Sequence, residues 1–137
     1  MVTVADIMTS SPCTVEPDTP LVEVVGIMKM QQCRQLPVIT EEGQLVGIVT
    51  DRDVRLALNS PLTLHERQDD ITLLRTVTAE ACMTPDPLTI EASATAVQAA
   101  ELLYRHKFGA LPVVDGSEVV GIITISDLLK YMVEGQR

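Results

Sequence analysis

Residues 46–53 read VGIVTDRD, and residues 120–127 read VGIITISD. The two stretches share the pattern Val-Gly-Ile-x-Thr-x-x-Asp and lie 74 positions apart. In each of them an apolar run rich in β-branched residues, typical of a buried strand, passes directly into a threonine suited to begin a helix. The pattern therefore predicts a strand followed at once by a helix, at two places in one chain.

The similarity extends over nearly the whole sequence. At a spacing of 75 positions, residues 8–9 (MT) recur at 83–84, and residues 36–38 (LPV) recur at 111–113. Further identities, in the same order, are Pro12, Thr14, Glu16 and Val22 with Pro87, Thr89, Glu91 and Val97. Matches spread in order over a whole unit indicate a tandem duplication, and two copies are too few for a solenoid. We expect a first repeat at residues 2–58, a linker at 59–76 and a second repeat at 77–133.

Each repeat predicts the same series of elements. Thr3 and Thr78 are predicted to cap a short lead-in helix, which is followed by a short strand at 13–15 or 88–90. Apolar residues at i, i+3, i+4 and i+7 then predict an amphipathic helix that begins near residue 21 in one repeat and near residue 96 in the other. A hairpin is predicted from strands 35–40 and 45–50, and a second from strands 110–114 and 118–124, each followed by a closing helix. In the linker, Leu73 and Leu74 favour packing on the body of the protein, and His65 has no metal-ligand neighbour, so we assign it no role.

Composition and charge exclude several classes of function. The chain has 137 residues, enough for one compact domain or two small halves, and 46% of them are hydrophobic. Aromatic residues make up only 2% and the net charge is −9, which disfavours nucleic acid as a partner. No apolar run approaches the roughly 20 residues of a membrane span, and the first residues do not resemble a secretory signal. The three cysteines are widely spaced, and we interpret them as reduced residues that pack in the protein. Because cysteines stay reduced inside the cell, we expect a cytoplasmic protein.

A duplicated β-α-β-β-α unit with Leu-Pro-Val before a hairpin and Gly-Ile-x-Thr-x-x-Asp after it resembles a pair of cystathionine β-synthase (CBS) domains, also called a Bateman module. The resemblance covers both repeats. It implies an α/β fold in which the two copies pack sheet to sheet about a pseudo-two-fold axis. It also implies two clefts that bind adenosine-containing ligands in many members, association as a disc-shaped homodimer, and a sensing role toward an effector protein.

The two Thr-x-x-Asp motifs are suited to bind a 5′-nucleotide. Thr50 and Thr124 stand where a helix begins, and the hydroxyl and free backbone N–H groups of that first turn favour a phosphate. One turn further on, Asp53 and Asp127 are suited to accept hydrogen bonds from a ribose diol. The alternative is that threonine and aspartate form a capping box that satisfies only the helix's own backbone.

The adenine pocket follows only from the resemblance. It implies that Ile48 and Ile122 line the pockets from their own repeats and that the other repeat supplies the opposite wall. Leu88 and Phe108 are then expected to face the site of Asp53, and Cys13 and Cys33 the site of Asp127. For each of these apolar residues, packing in the core is the alternative.

The basic residues differ between the repeats. Arg34, Arg52 and Arg55 accompany the first motif, whereas Gly109, Ser126 and Leu129 stand at the equivalent places in the second. Guanidinium pairs bidentately with phosphate, so we expect Arg34 and Arg52 to bind phosphate beside Asp53. Two alternatives stay open: Arg34 serves the cleft of Asp127, or the arginines only pair with acidic neighbours on the surface.

The motifs lead to two hypotheses of function. The first is a regulatory module that binds AMP, ADP, ATP or S-adenosylmethionine, signals to a partner protein and needs no metal for its fold. The second is a structural dimerisation module without a ligand. The sequence has no nucleophile–base set, metal cluster or Walker loop, so we do not expect an enzyme. The expected partners are a second copy of the chain and an effector protein, with neither nucleic acid nor membrane.

Overall fold

The computed structural model describes residues 1–58 and 67–135. From the first repeat through to the second lead-in segment, its elements are α1 (Val4–Ile7), β1 (Thr9–Ser10), α2 (Leu21–Gln31), β2 (Gln35–Ile39), β3 (Leu45–Thr50), α3 (Asp51–Leu58), α4 (Arg67–Thr76), α5 (Ala79–Cys82) and β4 (Thr84–Pro85). The rest of the second repeat adds β5 (Ile90–Glu91), α6 (Ala96–His106), β6 (Ala110–Asp115), β7 (Glu118–Thr124) and α7 (Ile125–Glu134). The predicted mixed α/β class is confirmed.

The chain forms two compact units, each with its own sheet and core. The first-repeat unit comprises Cys13–Asp86 and has the sheet order β2-β3-β4. The second-repeat unit comprises Met1–Pro12 together with the chain from Pro87 onward, and its sheet order is β1-β7-β6-β5. The hairpin β2–β3 or β6–β7 is antiparallel in each, and the long helix and the closing helix pack on the same unit. Each unit therefore contains one repeat without its own lead-in segment.

The lead-in segments are exchanged between the units. The backbone amides of Val4 and Ala5 in α1 donate to the carbonyls of Ala94 and Ala92, so the first turn of α1 is satisfied by the loop before α6. In the other unit, Ala79 and Glu80 of α5 donate in the same way to the carbonyls of residues 19 and 17, in the loop before α2. Each lead-in helix is therefore fixed by the loop of the opposite repeat.

Two glycines explain why each lead-in segment lies so close to its sheet. A Cβ at Gly121 would lie 2.5 Å from the sulfur of Met8 and 2.8 Å from the carbonyl oxygen of Thr9. At Gly47, a Cβ would overlap the sulfur of Met83. Such distances are shorter than van der Waals contact, so only glycine permits the methionine to pack there. This contact accounts for the joint recurrence of Met-Thr and Val-Gly-Ile in both repeats.

The structure differs from the predicted elements mainly at the short strands. The strand predicted at 13–15 is reduced to a single bridge between Val15 and Val38, because only the bonds of Val15 join it to β2. The strand predicted at 88–90 is the two-residue β5, which pairs in parallel with β6. The two-residue strands β1 and β4, which pair with β7 and β3, were not predicted.

The predicted linker contains the helix α4. Its Leu74 packs against the core of the first-repeat unit, as the apolar residues of the linker led us to expect. His65 lies outside the described residues.

We predict opposite effects on stability for two glycine-to-alanine substitutions. Gly121→Ala should lower the free energy of unfolding by about 1–3 kcal/mol, because the added methyl group overpacks the contact with Met8. Gly26→Ala, in the middle of α2, should raise it by about 0.5–1 kcal/mol, because nothing lies within 4 Å of the added Cβ and alanine is the better helix former. Urea unfolding of both variants tests this, and equal effects would contradict the close approach described for Gly121.

Candidate functional site

The two Thr-x-x-Asp motifs occupy equivalent positions in the two units. Thr50 ends β3 opposite Gln35 and is followed directly by α3, while Thr124 ends β7 opposite Ala110 and is followed by α7. All four residues of the two Thr–Asp pairs are half-buried, so each pair remains accessible at the carboxyl end of an inner strand. The threonine is thus positioned by the end of the strand, and the aspartate is positioned beside it by the first turn of the helix.

In both motifs, the side chains of the threonine and the aspartate accept hydrogen bonds from each other's backbone N–H. The N–H of Thr50 donates to Asp53 Oδ2 at 3.0 Å, and the N–H of Asp53 donates to Thr50 Oγ1 at 3.1 Å. The corresponding distances for Thr124 and Asp127 are 2.9 and 3.1 Å. This arrangement is the capping box that the sequence offered as an alternative. A carboxylate has about four lone-pair sites, so the box leaves acceptor capacity for a further donor.

The first amides of the two helices are occupied differently. In α3, the Asp51 N–H donates to the carbonyl of Arg34, and the Arg52 N–H donates to Asp51 Oδ1 at 2.9 Å. In α7, the Ile125 N–H donates to the carbonyl of Gly109. Over residues 1–58 and 67–135, the Ser126 N–H makes no hydrogen bond, and Ile125, which stands where Asp51 does, has no side-chain oxygen that could accept one. The helix of the second motif therefore keeps a backbone donor that the first one has used.

Each aspartate has a neighbour from the exchanged lead-in segment that sequence reasoning missed. Thr9 Oγ1 donates to Asp127 Oδ1 at 3.3 Å. Burial raises the pKa of the Cys82 thiol, and the negative charge of Asp53 raises it further. The recurrence of Met-Thr in both repeats indicated that these lead-in segments matter to the fold. It did not show that each segment contacts the aspartate of the opposite repeat.

A cleft of about 480 Å³ in the second-repeat unit reaches Asp127. Its walls come from the lead-in segment and from α7, and its lining residues are Val2, Asp6, Ile7, Met8, Asp127, Lys130, Tyr131 and Glu134. Hydrogen bonds from the backbone N–H and the hydroxyl of Thr3 lower the pKa of Asp6. The cleft therefore joins the lead-in helix to the proposed ribose site.

The predicted adenine-pocket residues are distributed over the two units. Ile48 is half-buried in β3, whereas Ile122 is buried in β7. Cys13 and Cys33 are half-buried and pack against the core of the first-repeat unit, and burial raises the pKa of Cys33. Leu88 and Phe108 are partly exposed in the second-repeat unit, where the Phe108 ring stacks on His106 with centroids 5.3 Å apart. Their pairing with the aspartate of the other repeat stays a prediction.

The predicted phosphate-binding arginines are exposed. Arg34 precedes β2, Arg52 lies in the first turn of α3, and both have accessible side chains. The guanidinium of Arg55 approaches Asp51 at 3.9 Å, and both side chains are largely exposed, so this pair contributes little to stability. Arg34 and Arg52 are therefore available to an anion.

Among the described residues, there is no group of three or more His, Cys, Asp or Glu side chains that could hold a metal ion. Within the same part of the chain, no helix is long and apolar enough to cross a membrane.

Comparisons with known proteins agree with the duplicated architecture. The family model of the CBS domain matches residues 4–60 and again residues 78–134. A CBS domain-containing protein of Dictyostelium discoideum is 35% identical over 134 residues, which cover 97% of this chain and 92% of the relative. The match to inosine-5′-monophosphate dehydrogenase of Mycobacterium tuberculosis, 34% identical over 125 residues, covers 90% of this chain but only 21% of that enzyme.

Solved structures agree along the full length of the chain. The CBS-pair protein CBSX2 of Arabidopsis thaliana has a TM-score of 0.84 at 33% identity, covering 99% of this chain and 97% of that one. CBSX2 has also been crystallised with AMP, and that structure is 31% identical with full coverage of both chains. A CBS domain pair in complex with 5′-methylthioadenosine and S-adenosyl-L-methionine has a TM-score of 0.82 at 26% identity, covering 100% of this chain and 99% of that one. With two matches of the family model and relatives that align over nearly its full length, the chain belongs to the CBS domain family and carries a tandem CBS pair, a Bateman module.

Proposed function

We propose that this CBS pair is a regulatory module that binds adenosine-containing ligands, with Asp53 and Asp127 as the ribose-binding residues. The observation that carries the proposal is the presence of two intact, half-exposed Thr–Asp pairs at equivalent positions. It is supported by the similarity to CBS pairs crystallised with AMP and with S-adenosyl-L-methionine.

The capping box and ribose binding are compatible. In both boxes the backbone N–H of the threonine donates to the Oδ2 atom of the aspartate. The Oδ1 atom of Asp53 is therefore left for a ribose hydroxyl, whereas at Asp127 the ribose hydroxyl must share Oδ1 with Thr9 or replace its bond. A hydrogen bond between a hydroxyl and a carboxylate is charge-assisted, so it is stronger than one between neutral groups. The same aspartate can therefore fix its helix in the empty protein and hold the ligand in the complex.

Phosphate binding should differ between the two sites. At the first site, Asp51 already accepts the bond of the Arg52 N–H, so the phosphate must rely on the exposed side chains of Arg34 and Arg52 together with Thr50. At the second site, no arginine stands near Thr124 in the sequence, and the phosphate has this threonine, the Ser126 N–H and Lys130, the one basic side chain in the lining of the cleft. Phosphorylated ligands should prefer the first site, whereas adenosine or S-adenosylmethionine should be tolerated at the second.

Binding is proposed to act on an effector protein, with the module itself working as a homodimer. The second candidate function, a dimerisation module without ligand, is favoured by the exposed apolar side chains of α7. Ile125, Leu129, Met132 and Val133 recur at i, i+4, i+7 and i+8 and are all exposed, so they form one apolar face of the helix. The two functions share the dimer and differ in whether the sites are occupied.

We predict that Asp53→Ala and Asp127→Ala each remove one adenosine-binding site. Loss of a charge-assisted bond of roughly 1.5–3 kcal/mol should weaken binding at the altered site by about tenfold or more. Isothermal titration with AMP and with adenosine measures the loss. Wild-type binding by the double variant would show that the aspartates serve only as caps.

The capping box of α6 provides the matched control. There the Thr95 N–H donates to Gln98 Oε1 at 2.9 Å, and we assign this box no ligand. Gln98→Ala should lower stability as a lost cap does, by about 0.5–2 kcal/mol, but leave AMP binding unchanged.

We predict that Arg34→Ala weakens AMP binding by roughly 1.5–3 kcal/mol and leaves adenosine binding nearly unchanged. The loss should shrink with added salt, since the charges are exposed and therefore screened. Arg75→Ala, which removes an equally exposed charge from α4, is the control. Equal losses for adenosine and AMP, or none for either, would exclude Arg34 as a phosphate ligand.

We predict that the protein is a dimer in solution and that Leu129→Asp dissociates it, because burying the new carboxylate against an apolar face is unfavourable. Sedimentation equilibrium measures the association. Ser117→Asp, in the exposed turn between β6 and β7, adds the same charge and should leave the dimer intact. A wild-type protein that is monomeric at every concentration would contradict the proposed dimer.

A further inference from the structure

Cys13 and Cys33 lie at the same end of two extended segments that pair in the first-repeat unit. Val15 forms a parallel bridge to Val38 in β2, held by two backbone hydrogen bonds of 3.0 and 2.8 Å. Because both segments run in the same direction, the residues that precede them lie at one end of the pair. Cys13 stands two positions before Val15, and Cys33 stands two positions before the start of β2.

The two cysteines differ in how they are held and reached. Cys33 follows the left-handed residue Gln32 at the end of α2, and its N–H donates to the carbonyl of Met28 at 3.1 Å. Its backbone is therefore fixed to the last turn of the helix. Cys13 lines a cleft of about 450 Å³ along α2, which a small molecule can enter. Both side chains are half-buried against the core of the unit.

The charge of one thiol acts on the other. Burial raises the pKa of the Cys33 thiol, and a negative charge on Cys13 raises it further. An electrostatic effect of this kind weakens with distance, which agrees with the placement of the two residues at one end of the paired segments. Both cysteines are free in this structure. The unit therefore contains two neighbouring thiols that are not joined.

The third cysteine of the unit lies toward the other edge of the sheet. Val15 adjoins β2, whereas Cys82 comes just before β4, on the far side of β3. These two edges are three strand spacings apart, roughly 14 Å, and the Cα atoms of a disulfide are usually only about 4.4–6.8 Å apart. The charged group that raises the pKa of Cys82, after burial, is Asp53. Cys13 and Cys33 are therefore the pair that a disulfide can join.

The fold does not require thiols at these two places. Leu88 and Phe108 stand at the equivalent positions of the second repeat. The Phe108 N–H donates to the last turn of α6 at 3.1 Å, just as the Cys33 N–H donates to α2. The same backbone geometry is thus compatible with two large apolar side chains. The thiol pair distinguishes the first repeat from the second in chemistry and not in backbone structure.

We propose that Cys13 and Cys33 form a site of reversible oxidation, at which hydrogen peroxide converts the two thiols into a disulfide. The Cys13 thiolate attacks one peroxide oxygen, the O–O bond breaks, and the released hydroxide takes up the proton that Cys13 lost. The Cys33 sulfur then attacks the sulfenic acid on Cys13, the S–O bond breaks, and a second water leaves with the Cys33 proton. In total the sulfurs lose two electrons and two protons, and the peroxide becomes two waters. A thiol reductant reverses the change.

The two thiols have different parts in this reaction. The nucleophile is the thiolate and not the thiol. Cys13 lines the open cleft, whereas Cys33 keeps its proton while Cys13 is ionised, because the charge of Cys13 raises the pKa of Cys33. Cys13 therefore meets the peroxide, and Cys33 resolves the sulfenic acid.

The disulfide would act on the segment that connects the two units. The chain passes from the second-repeat unit into the first between Pro12 and Cys13. A bond from Cys13 to Cys33 encloses α2 in a covalent loop and ties this crossing segment to the end of the helix. The bridge of Val15 should then open less often, so its amide hydrogen should exchange more slowly in the oxidised protein. The site gives the module an input that does not depend on adenosine.

Digestion with trypsin identifies which cysteines are joined. Cleavage after Lys29 and Arg34 places Cys13 in the peptide 1–29 and Cys33 in the peptide 30–34, while the third cysteine falls in the peptide 76–105. After treatment with hydrogen peroxide and blocking of the remaining thiols, the folded wild type should lose the mass of two hydrogen atoms. Its digest should contain peptide 1–29 joined to 30–34. The same chain oxidised in urea should give all three pairings, because the native geometry then no longer selects one.

Three serine variants assign the roles, with circular dichroism as the check that each is folded. Cys82→Ser is the matched control, since it removes a half-buried thiol of the same unit and should form the link at the wild-type rate. Cys33→Ser should stop at the sulfenic acid of Cys13, which dimedone traps. Cys13→Ser should consume peroxide about tenfold or more slowly than wild type, because the thiolate that attacks first is gone.

Phenylarsine oxide tests the proximity of the thiols without any oxidation. Its trivalent arsenic binds two thiols that lie close together and releases one water. The folded wild type and Cys82→Ser should each bind one arsenic per chain, as measured by intact mass, and Cys13→Ser and Cys33→Ser should bind none.

The outcomes separate this inference from the proposed function. A folded wild type that gives no link between 1–29 and 30–34, or that gives the mixed pairings of the unfolded chain, overturns the inference. Loss of the link in Cys82→Ser does the same. All of these measurements are made without nucleotide, so their failure leaves adenosine binding untouched. Conversely, wild-type AMP binding by the aspartate double variant would overturn the ribose role and leave the thiol pair standing.

Discussion

The fold depends on the contact between each lead-in segment and the glycine strand of the opposite repeat. Met8 packs over Gly121 and Met83 over Gly47, at distances that any larger residue would prevent. Through the same exchange, Val4 completes the core of the second-repeat unit and Ala79 that of the first. Neither repeat contains a complete core of its own. The duplication is therefore a structural requirement, because each copy supplies a part that the other lacks.

The exchanged segments also connect the sites to the rest of the fold. At the second site Thr9 donates to the same Oδ1 atom of Asp127 that we propose for the ribose, so a ligand must share or replace that bond. Thr9 is part of β1, which pairs with β7, and it directly follows Met8, which packs over Gly121. If the proposed function holds, the state of Asp127 is passed to the lead-in helix by contacts that are continuous in one unit. These contacts give the proposed regulatory role a physical route.

The sequence predicted the long elements better than the short ones, for physical reasons. The helices α2 and α6 and both hairpins are confirmed, because the periodicity of the apolar residues determines which face is buried. The strands β1 and β4 have two residues each and carry no alternation to detect. The exchange of the lead-in segments was not predictable from the order of the repeats, since it rests on contacts far apart in sequence. At the site, the capping bonds could be anticipated from Thr-x-x-Asp, whereas the bond from Thr9 could not.

The two sites differ because the repeats have diverged in the residue that follows the threonine. Asp51 turns its carboxylate back to the Arg52 N–H and also lies 3.9 Å from Arg55, so it satisfies the helix internally. Ile125 at the same position does neither, and the amide after it keeps its donor for another group. The first helix thus uses its backbone for its own stability and presents Arg52 and Arg55, whereas the second presents a single basic side chain, Lys130, and a free backbone donor. The two proposed sites therefore differ in chemistry although their caps are equivalent, and under the proposed function a phosphate should distinguish them better than a ribose does.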